Sequence, residues 1–444
     1  MSSPSTPRQI DRAIAALALP SLGTLLAEPL LVAVDSTMVG RLGTVPLAGL
    51  ALASTVLTAV VGICIFLTYA TTAATARYVG AGDRERGLRQ GIDGMWLGLG
   101  LGVVLGAVLW IFGPTILGWF NPEADVLHQA SLYLRASAFG LPGMLLVLAA
   151  NGTLRGFADA RTPLVASTAG ALANIPLNAV LIYPAGLGIA GAGYGTAIAQ
   201  TGMGFFLAWT VARRARKLGV AMTPSGAGVL ASLRDAGPLI IRTLSLRSAI
   251  ILQIMAATAL GTAALAANQI VQTMWNFAAY GLDSLAIAAQ ILVGQALGAG
   301  DKARVRMILG RCLKLGALGG AALGLVLAAA SWLISALMTP DAHVASLATQ
   351  AMWVTSAALP IASAAYMLDG VLIGAGDTKK LAIYMLSALL AFAPAAFLIA
   401  GPGAELGRAG LLLLWAAYGG LFMAVRGGTM LLRTRGDEWM RLGE

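Results

Sequence analysis

Gly80-Ala81-Gly82-Asp83 returns 218 residues further on as Gly298-Ala299-Gly300-Asp301. The same shift carries Pro20 onto Pro238, Gly43 onto Gly261, Pro122 onto Pro340 and Pro142 onto Pro360. It also carries Gly152, Gly156 and Asp159 onto Gly370, Gly374 and Asp377. One ungapped shift that aligns this many backbone-shaping residues marks a tandem duplication. The chain must therefore build one unit twice.

That unit belongs in a membrane. Hydrophobic residues make up 58% of the chain and charged residues 11%, against roughly 25% charged in soluble domains. Runs of about 20 apolar residues, the length a helix needs to cross a bilayer, recur throughout. We place twelve spans, at 14–40, 47–73, 91–113, 128–150, 163–183, 190–212, 237–260, 271–297, 307–335, 345–371, 381–400 and 410–432. Six fall in each repeat, and an even number returns the chain to its starting side. The halves then share one orientation, related by an axis along the membrane normal. The expected division is an N-lobe at 1–214, a cytoplasmic linker at 215–236 around Pro224-Ser225-Gly226, and a C-lobe at 237–444.

A net charge of +10 invites a nucleic-acid reading, and its distribution rules that out. Arginine and lysine crowd the connections after helices two, four, six, eight, ten and twelve, while the opposite loops offer little beyond Arg41 and Arg408. This is the positive-inside pattern of a multi-pass protein with both termini in the cytoplasm. Cys64 and Cys312 are isolated and apolar in context, so they form neither a metal-ligand spacing nor a disulfide framework. Residues 1–8 read as a short polar tail, without the features of a cleavable signal peptide. With two histidines, expected at helix ends, and no Ser/His/Asp set, nothing suggests a catalytic centre, a metal or a cofactor. Two like-oriented bundles around a midplane cleft suggest alternating-access transport of a small molecule instead.

Carboxylates inside the apolar spans carry the chemistry. Glu28 and Asp35 lie in the first span, and charge at that depth is costly unless paired or protonated. They are seven residues apart, about two helical turns, so both can face one side of the helix. Pro29, between them, removes a backbone hydrogen bond and makes a bend cheap. Asn174 and Asn178 share a face of helix five at a four-residue spacing, and Thr196 and Gln200 repeat that spacing on helix six. Such amides either support the Asp35 site or serve only as glue between helices.

The chain resembles the multidrug and toxic compound extrusion (MATE) transporters, in particular the DinF-like branch. The resemblance rests on Glu28-Pro29-Leu30 with Val34-Asp35-Ser36-Thr37, on Gly80-Ala81-Gly82-Asp83, and on Arg155-Gly156-Phe157-Ala158-Asp159-Ala160-Arg161-Thr162-Pro163. It rests also on Asn174-Ile175-Pro176-Leu177-Asn178, Ala266-Ala267-Asn268-Gln269-Ile270, Asp283 and Asp369-Gly370-Val371-Leu372-Ile373-Gly374-Ala375-Gly376-Asp377-Thr378. It implies an all-α integral membrane protein whose two six-helix lobes form a V around a central cleft. It implies drug export from the inner membrane by antiport, coupled to protons through Asp35 with Glu28 beside it. Sodium-coupled relatives carry a carboxylate on helix seven, where this chain has Gln253; Asp283 keeps a sodium site open.

In the C-lobe, depth arithmetic at about 1.5 Å per residue pairs Arg247 with Asp283 and Arg242 with Asp369. Such pairs would neutralise charges too costly to hold singly in a bilayer. Met38, Met144, Met255, Met274 and Trp275 are candidates to line a path for an amphipathic, cationic compound, or are ordinary packing residues. A monomer is expected. The competing readings are a major facilitator, which also has twelve helices in two halves; a lipid or polysaccharide-precursor flippase of the same superfamily, which calls for a cationic cavity; and, weakest, a membrane-embedded enzyme.

Overall fold

The computed structural model describes residues 6–443, and among them every regular element is helical. The polar tail at residues 1–5 lies outside the described residues. The spans are α1 (Pro7–Gly40), α2 (Thr44–Gly80, interrupted at Cys64 and Ile65), α3 (Arg84–Gly118) and α4 (Ala124–Ala138 with Leu141–Gly156). They continue as α5 (Arg161–Ile182), α6 (Gly188–Lys217), α7 (Gly226–Ala259), α8 (Thr262–Gly298) and α9 (Lys302–Met338). The last three are α10 (Ala342–Ala375), α11 (Thr378–Ala400) and α12 (Arg408–Arg435). Ten are individually long and apolar enough to cross a membrane, and the α4 pair, bent by 51°, makes an eleventh. The twelfth is α6, 30 residues long, whose glycines, Thr196, Gln200 and basic last turn dilute its apolarity.

The duplication is visible in three dimensions. In the first repeat α4 packs on α2, α3 and α6; in the second its counterpart α10 packs on α8, α9 and α12. Glycines allow the close approach. A Cβ at Gly102 of α3 would lie 2.8 Å from the Leu141 carbonyl oxygen, and one at Gly320 of α9 would lie 2.8 Å from that of Leu359. Gly106 and Gly324 face Ala138 and Ser356 in the same way. Each partner is shifted by the same 218 residues. Small residues at such a spacing bring helix backbones together where no hydrophobic effect drives them. The Gly-Ala-Gly-Asp turns also match. Gly82 and Gly300 take φ of +85° and +70°, conformations open to glycine, and Asp83 and Asp301 cap α3 and α9 through the N–H groups of Arg86 and Arg304, each at 2.9 Å.

The chain forms two compact units, and their limits differ from the expected lobes. One is Leu19–Ala236, the N-half below; the other is Gly237–Glu444 together with the start of the chain as far as Ala18, the C-half. The segment expected as linker is largely helix: α6 runs to Lys217 and α7 begins at Gly226, eleven residues before the expected start. Likewise α8 begins at Thr262, because Asn268 and Gln269 mask the start of its apolar run. The amphipathic first turns of α7, with Arg234 among them, carry little hydropathy signal, and its later expected start follows from that.

Candidate functional site

Helix α1 places Glu28 and Asp35 on one wall of a cavity in the N-half. The cavity holds about 600 Å³ of empty space, including its open mouth. Ser54 and Thr58 of α2, Tyr133 and Met144 of α4, Asn174 of α5, and Thr196 and Gln200 of α6 complete its polar and adaptable surface. Glu28 is exposed, whereas Asp35 is only 6% exposed. Its carboxylate is held by neutral donors. The Asn178 amide donates to Oδ1 at 2.6 Å and the Thr196 hydroxyl to Oδ2 at 3.3 Å. The same Asn178 amide donates to Asn174 Oδ1 at 3.1 Å. With its amide turned over, Asn174 would give up that bond and instead donate to Asp35 Oδ1 at 3.0 Å and accept from the Thr196 N–H. Among the described residues, no basic side chain lines this cavity. A buried carboxylate among amides and a hydroxyl, without a counter-ion, can take up a proton or a cation.

The sequence had singled out Glu28, Asp35, Asn174, Asn178, Thr196 and Gln200, and the fold brings all six to this region. It did not single out Ser54, Thr58 or Tyr133, although the four-residue spacing of Ser54 and Thr58 was an available signal. Pro29 sits within α1, which runs without interruption from Pro7 to Gly40. Met144 lines the cavity; the Met38 carbonyl accepts from the Tyr183 hydroxyl at 2.9 Å.

The C-half holds a different arrangement. Asp369 of α10 accepts from Arg242 of α7 through two nitrogens, Nε at 3.0 Å and Nη2, and Arg426 of α12 lies 3.1 Å from the same carboxylate. All three are buried, and the Arg426 guanidinium also stacks 4.9 Å from the Tyr366 ring. Arg426 is not among the residues the sequence singles out, although its place inside the last span, 410–432, was an available signal. Arg247 and Asp283 do not pair. Arg247 is exposed, and Asp283 sits within electrostatic range of Arg242, Arg426 and Asp369 without a hydrogen bond to any of them. Counting along helices gives depth but not the direction a side chain faces, and Arg247, though at the right depth, is exposed and makes no ion pair with Asp283.

Of the remaining candidates, Met255 is 56% exposed and Met274 half-buried. Trp275 is a packing residue, 3% exposed, with its ring 6.0 Å from Trp415 and 5.6 Å from Tyr418. Phe392 and Phe422 extend this aromatic cluster. Gln253, at the repeat position of Asp35, is fully buried with both amide atoms unpartnered.

Comparison with known proteins settles the family. A model of the MatE family matches the chain twice, over residues 20–180 and 238–398, two blocks separated by the same shift of 218. The chain belongs to the MatE family. It is similar to Protein DETOXIFICATION 44, chloroplastic, of Arabidopsis thaliana, with 29% identity over 98% of this chain and 84% of that protein. It is similar also to DNA damage-inducible protein F of Escherichia coli, with 27% identity over 86% and 84% of the two chains. Its fold matches that of the Vibrio cholerae MATE transporter VcmN in the bent form, with a TM-score of 0.88 and 20% identity over 98% of both chains. Members of the MatE family are membrane transporters of small molecules, not enzymes, and twelve helices in two bundles are their fold. The major facilitator and enzyme readings are thereby excluded.

Proposed function

We propose that this chain exports amphipathic organic cations in exchange for protons, and that Asp35 is the group that alternates between proton and cargo. The acid-only cavity carries this reading: Glu28 and Asp35 face it and no basic side chain does. Such a surface suits a cationic or neutral compound, and it disfavours the anionic lipid-linked cargo of a flippase. Protonation of Asp35 removes its charge and turns one of the two oxygens that Asn178 and Thr196 bond into a donor, which weakens the link from α1 to α5 and α6. The chain at Pro29 lacks one backbone hydrogen bond, so α1 can bend there when the link is lost. Relatives named as multidrug resistance proteins support the cargo class. Proton and cargo then favour different states, which is what drives exchange.

Protons are preferred to sodium because both Asp283 and Asp369 of the C-half lie within range of Arg242 and Arg426, whose charges offset theirs. Gln253 replaces the acid at the repeat position of Asp35, and two arginines already hold Asp369. The proposal includes a bacterial-type inner membrane with the basic loops on the cytoplasmic side. Everted vesicles test it. Asp35→Asn should insert at the wild-type level and lose gradient-driven efflux of ethidium or rhodamine 6G. Wild-type efflux should stop when the pH gradient is collapsed and persist without sodium. Efflux that follows a sodium gradient instead, or an Asp35→Asn variant that pumps normally, would overturn the assignment.

A further inference from the structure

The two units divide the chain within helices rather than between them. The limits fall at Ala18/Leu19 in α1 and at Ala236/Gly237 in α7, and these are equivalent positions 218 residues apart. The first turns of α1 therefore group with the C-half, although the rest of α1, with Asp35, belongs to the N-half. The first turns of α7 group reciprocally with the N-half, although the rest of α7, with Arg242, belongs to the C-half. Equivalent residues are buried in the two exchanged segments: Ile14 and Ser232, and Ala18 and Ala236.

Each exchanged segment is held by the same position of an equivalent helix. Arg311 of α9 grips Asp11 of α1 with two nitrogens, Nε to Oδ1 at 2.7 Å and Nη2 to Oδ2. Shifted back by 218, position 311 is Asp93 of α3. Asp93, only 2% exposed, accepts from the Ser225 N–H at 2.8 Å, just before α7. Gly228 passes so close that a Cβ there would lie 2.0 Å from Asp93 Oδ2. Arg89, Gln90 and Trp96 of the same helix bond Ala221, Ser232 and Met222. The repeat has kept the clasp position and changed its chemistry, an arginine gripping a carboxylate in one half and a carboxylate gripping backbone in the other.

We infer that Asp11–Arg311 and Asp93–Ser225 are paired clasps that tie each helix start to the opposite half, and that Asp11, Arg311 and Asp93 are positioning residues for transport. Both α1 and α7 continue without a break through the unit limits. Any displacement of one unit against the other must therefore act on α1 and α7, and α1 carries Asp35. A clasped start passes that displacement on along the helix; a loose start absorbs it. The inference rests on transport by the chain and not on Asp35 being the coupling acid.

The test uses the full-length chain and two readouts. One is amide hydrogen exchange of residues 7–18 and 221–232, which needs no cargo. The other is efflux of ethidium or rhodamine 6G, whichever the wild type exports. Asp11→Arg and Arg311→Asp should each speed exchange in 7–18 and lower efflux by about fivefold to tenfold, as expected for loss of a bidentate charged pair. The double swap should restore both readouts. Gly228→Ala should disturb 221–232 alone, and Asp93→Asn, which keeps an oxygen for the Ser225 N–H, should act more mildly than Asp93→Leu. Unchanged exchange in Asp11→Arg overturns the clasp. Faster exchange with undiminished efflux, or a double swap that folds and stays inactive, overturns its role in transport.

Discussion

The two halves share a scaffold and differ where the N-half has its cavity. The shift of 218 holds through α5 and α11 and becomes 219 in α6 and α12, where Arg214 matches Arg433. With that alignment, the cavity residues Leu57, Asn174, Thr196, Ala199 and Met203 correspond to Trp275, Phe392, Trp415, Tyr418 and Phe422. These are the five aromatic residues of the C-half cluster, with ring centroids 5.5–6.0 Å apart between neighbours. Where one half keeps a hollow, its copy is filled with rings. Asp35 becomes Gln253, whose amide finds no partner among them. The duplication kept the backbone packing, where glycines meet carbonyls, and freed one inner face to specialise.

The buried acids should separate the halves most clearly. Asp369 sits between two arginines, so Asp369→Asn leaves two buried cations with too little counter-charge. Breaking a buried charge network costs about 3–5 kcal/mol, a large share of the stability of a domain. We expect Asp369→Asn to lower the thermal unfolding midpoint of the detergent-solubilised protein sharply or to abolish its accumulation. Asp35→Asn, whose carboxylate faces only amides and a hydroxyl, should unfold close to wild type. An Asp369→Asn protein as stable as wild type but unable to transport would reverse the comparison and make the C-half acid functional.

The filled and hollow copies give a second contrast. Phe392 is fully buried against Tyr418 and Phe422, so Phe392→Ala opens a void worth about 3 kcal/mol. Asn174, at the equivalent position, borders open space, and Asn174→Ala should cost about 1 kcal/mol through its lost hydrogen bonds. Unfolding midpoints of the two variants, measured side by side, check the difference. If Phe392→Ala is as mild as Asn174→Ala and gains dye binding, the C-half is a second binding lobe and not a support.

Much of this was legible in the sequence because helical spacing is a strong signal. The repeat, the span count and the shared face of Asn174 and Asn178 all follow from periods that the backbone imposes. Depth counting could also bring Arg242 to Asp369, since both lie near one end of their helices. It could not separate Arg247 from Arg426, because height along a helix leaves the angle about its axis undetermined. The aromatic copy of the cavity was hidden for another reason: the one-residue change of register before α6 and α12 breaks the alignment at Thr196 and Trp415. The exchanged helix starts were invisible because clasps such as Asp11–Arg311 join residues 300 apart in sequence.

The smallest expected effect concerns a feature the halves share. Asp159, in the turn after α4, accepts from the Thr162 N–H at 3.0 Å, from the Thr162 hydroxyl at 2.7 Å and from Arg214 at the end of α6. Asp377 holds Arg433 in the matching place, with Nε 2.9 Å from its carboxylate. Burial alone would push the Asp159 carboxyl up, but the Thr162 bonds and the Arg214 guanidinium outweigh it and hold it below its ordinary value. A lowered folded-state value means stability that is fully present above the unfolded value and lost as pH falls through the folded one. The stability difference between wild type and Asp159→Asn should therefore hold at about 1 kcal/mol from pH 7 to about pH 5 and shrink toward zero below about pH 4. Asp377→Asn, measured at pH 7, should cost less, by no more than about 1 kcal/mol, because Asp377 has no counterpart of the Thr162 bonds and shares Arg433 with Glu438. A difference that grows on acidification would mean that Asp159 is protonated in the folded protein. A tenfold disparity between the two variants in the folded-to-unfolded ratio would show that the halves have diverged at their turns as well as at their inner faces.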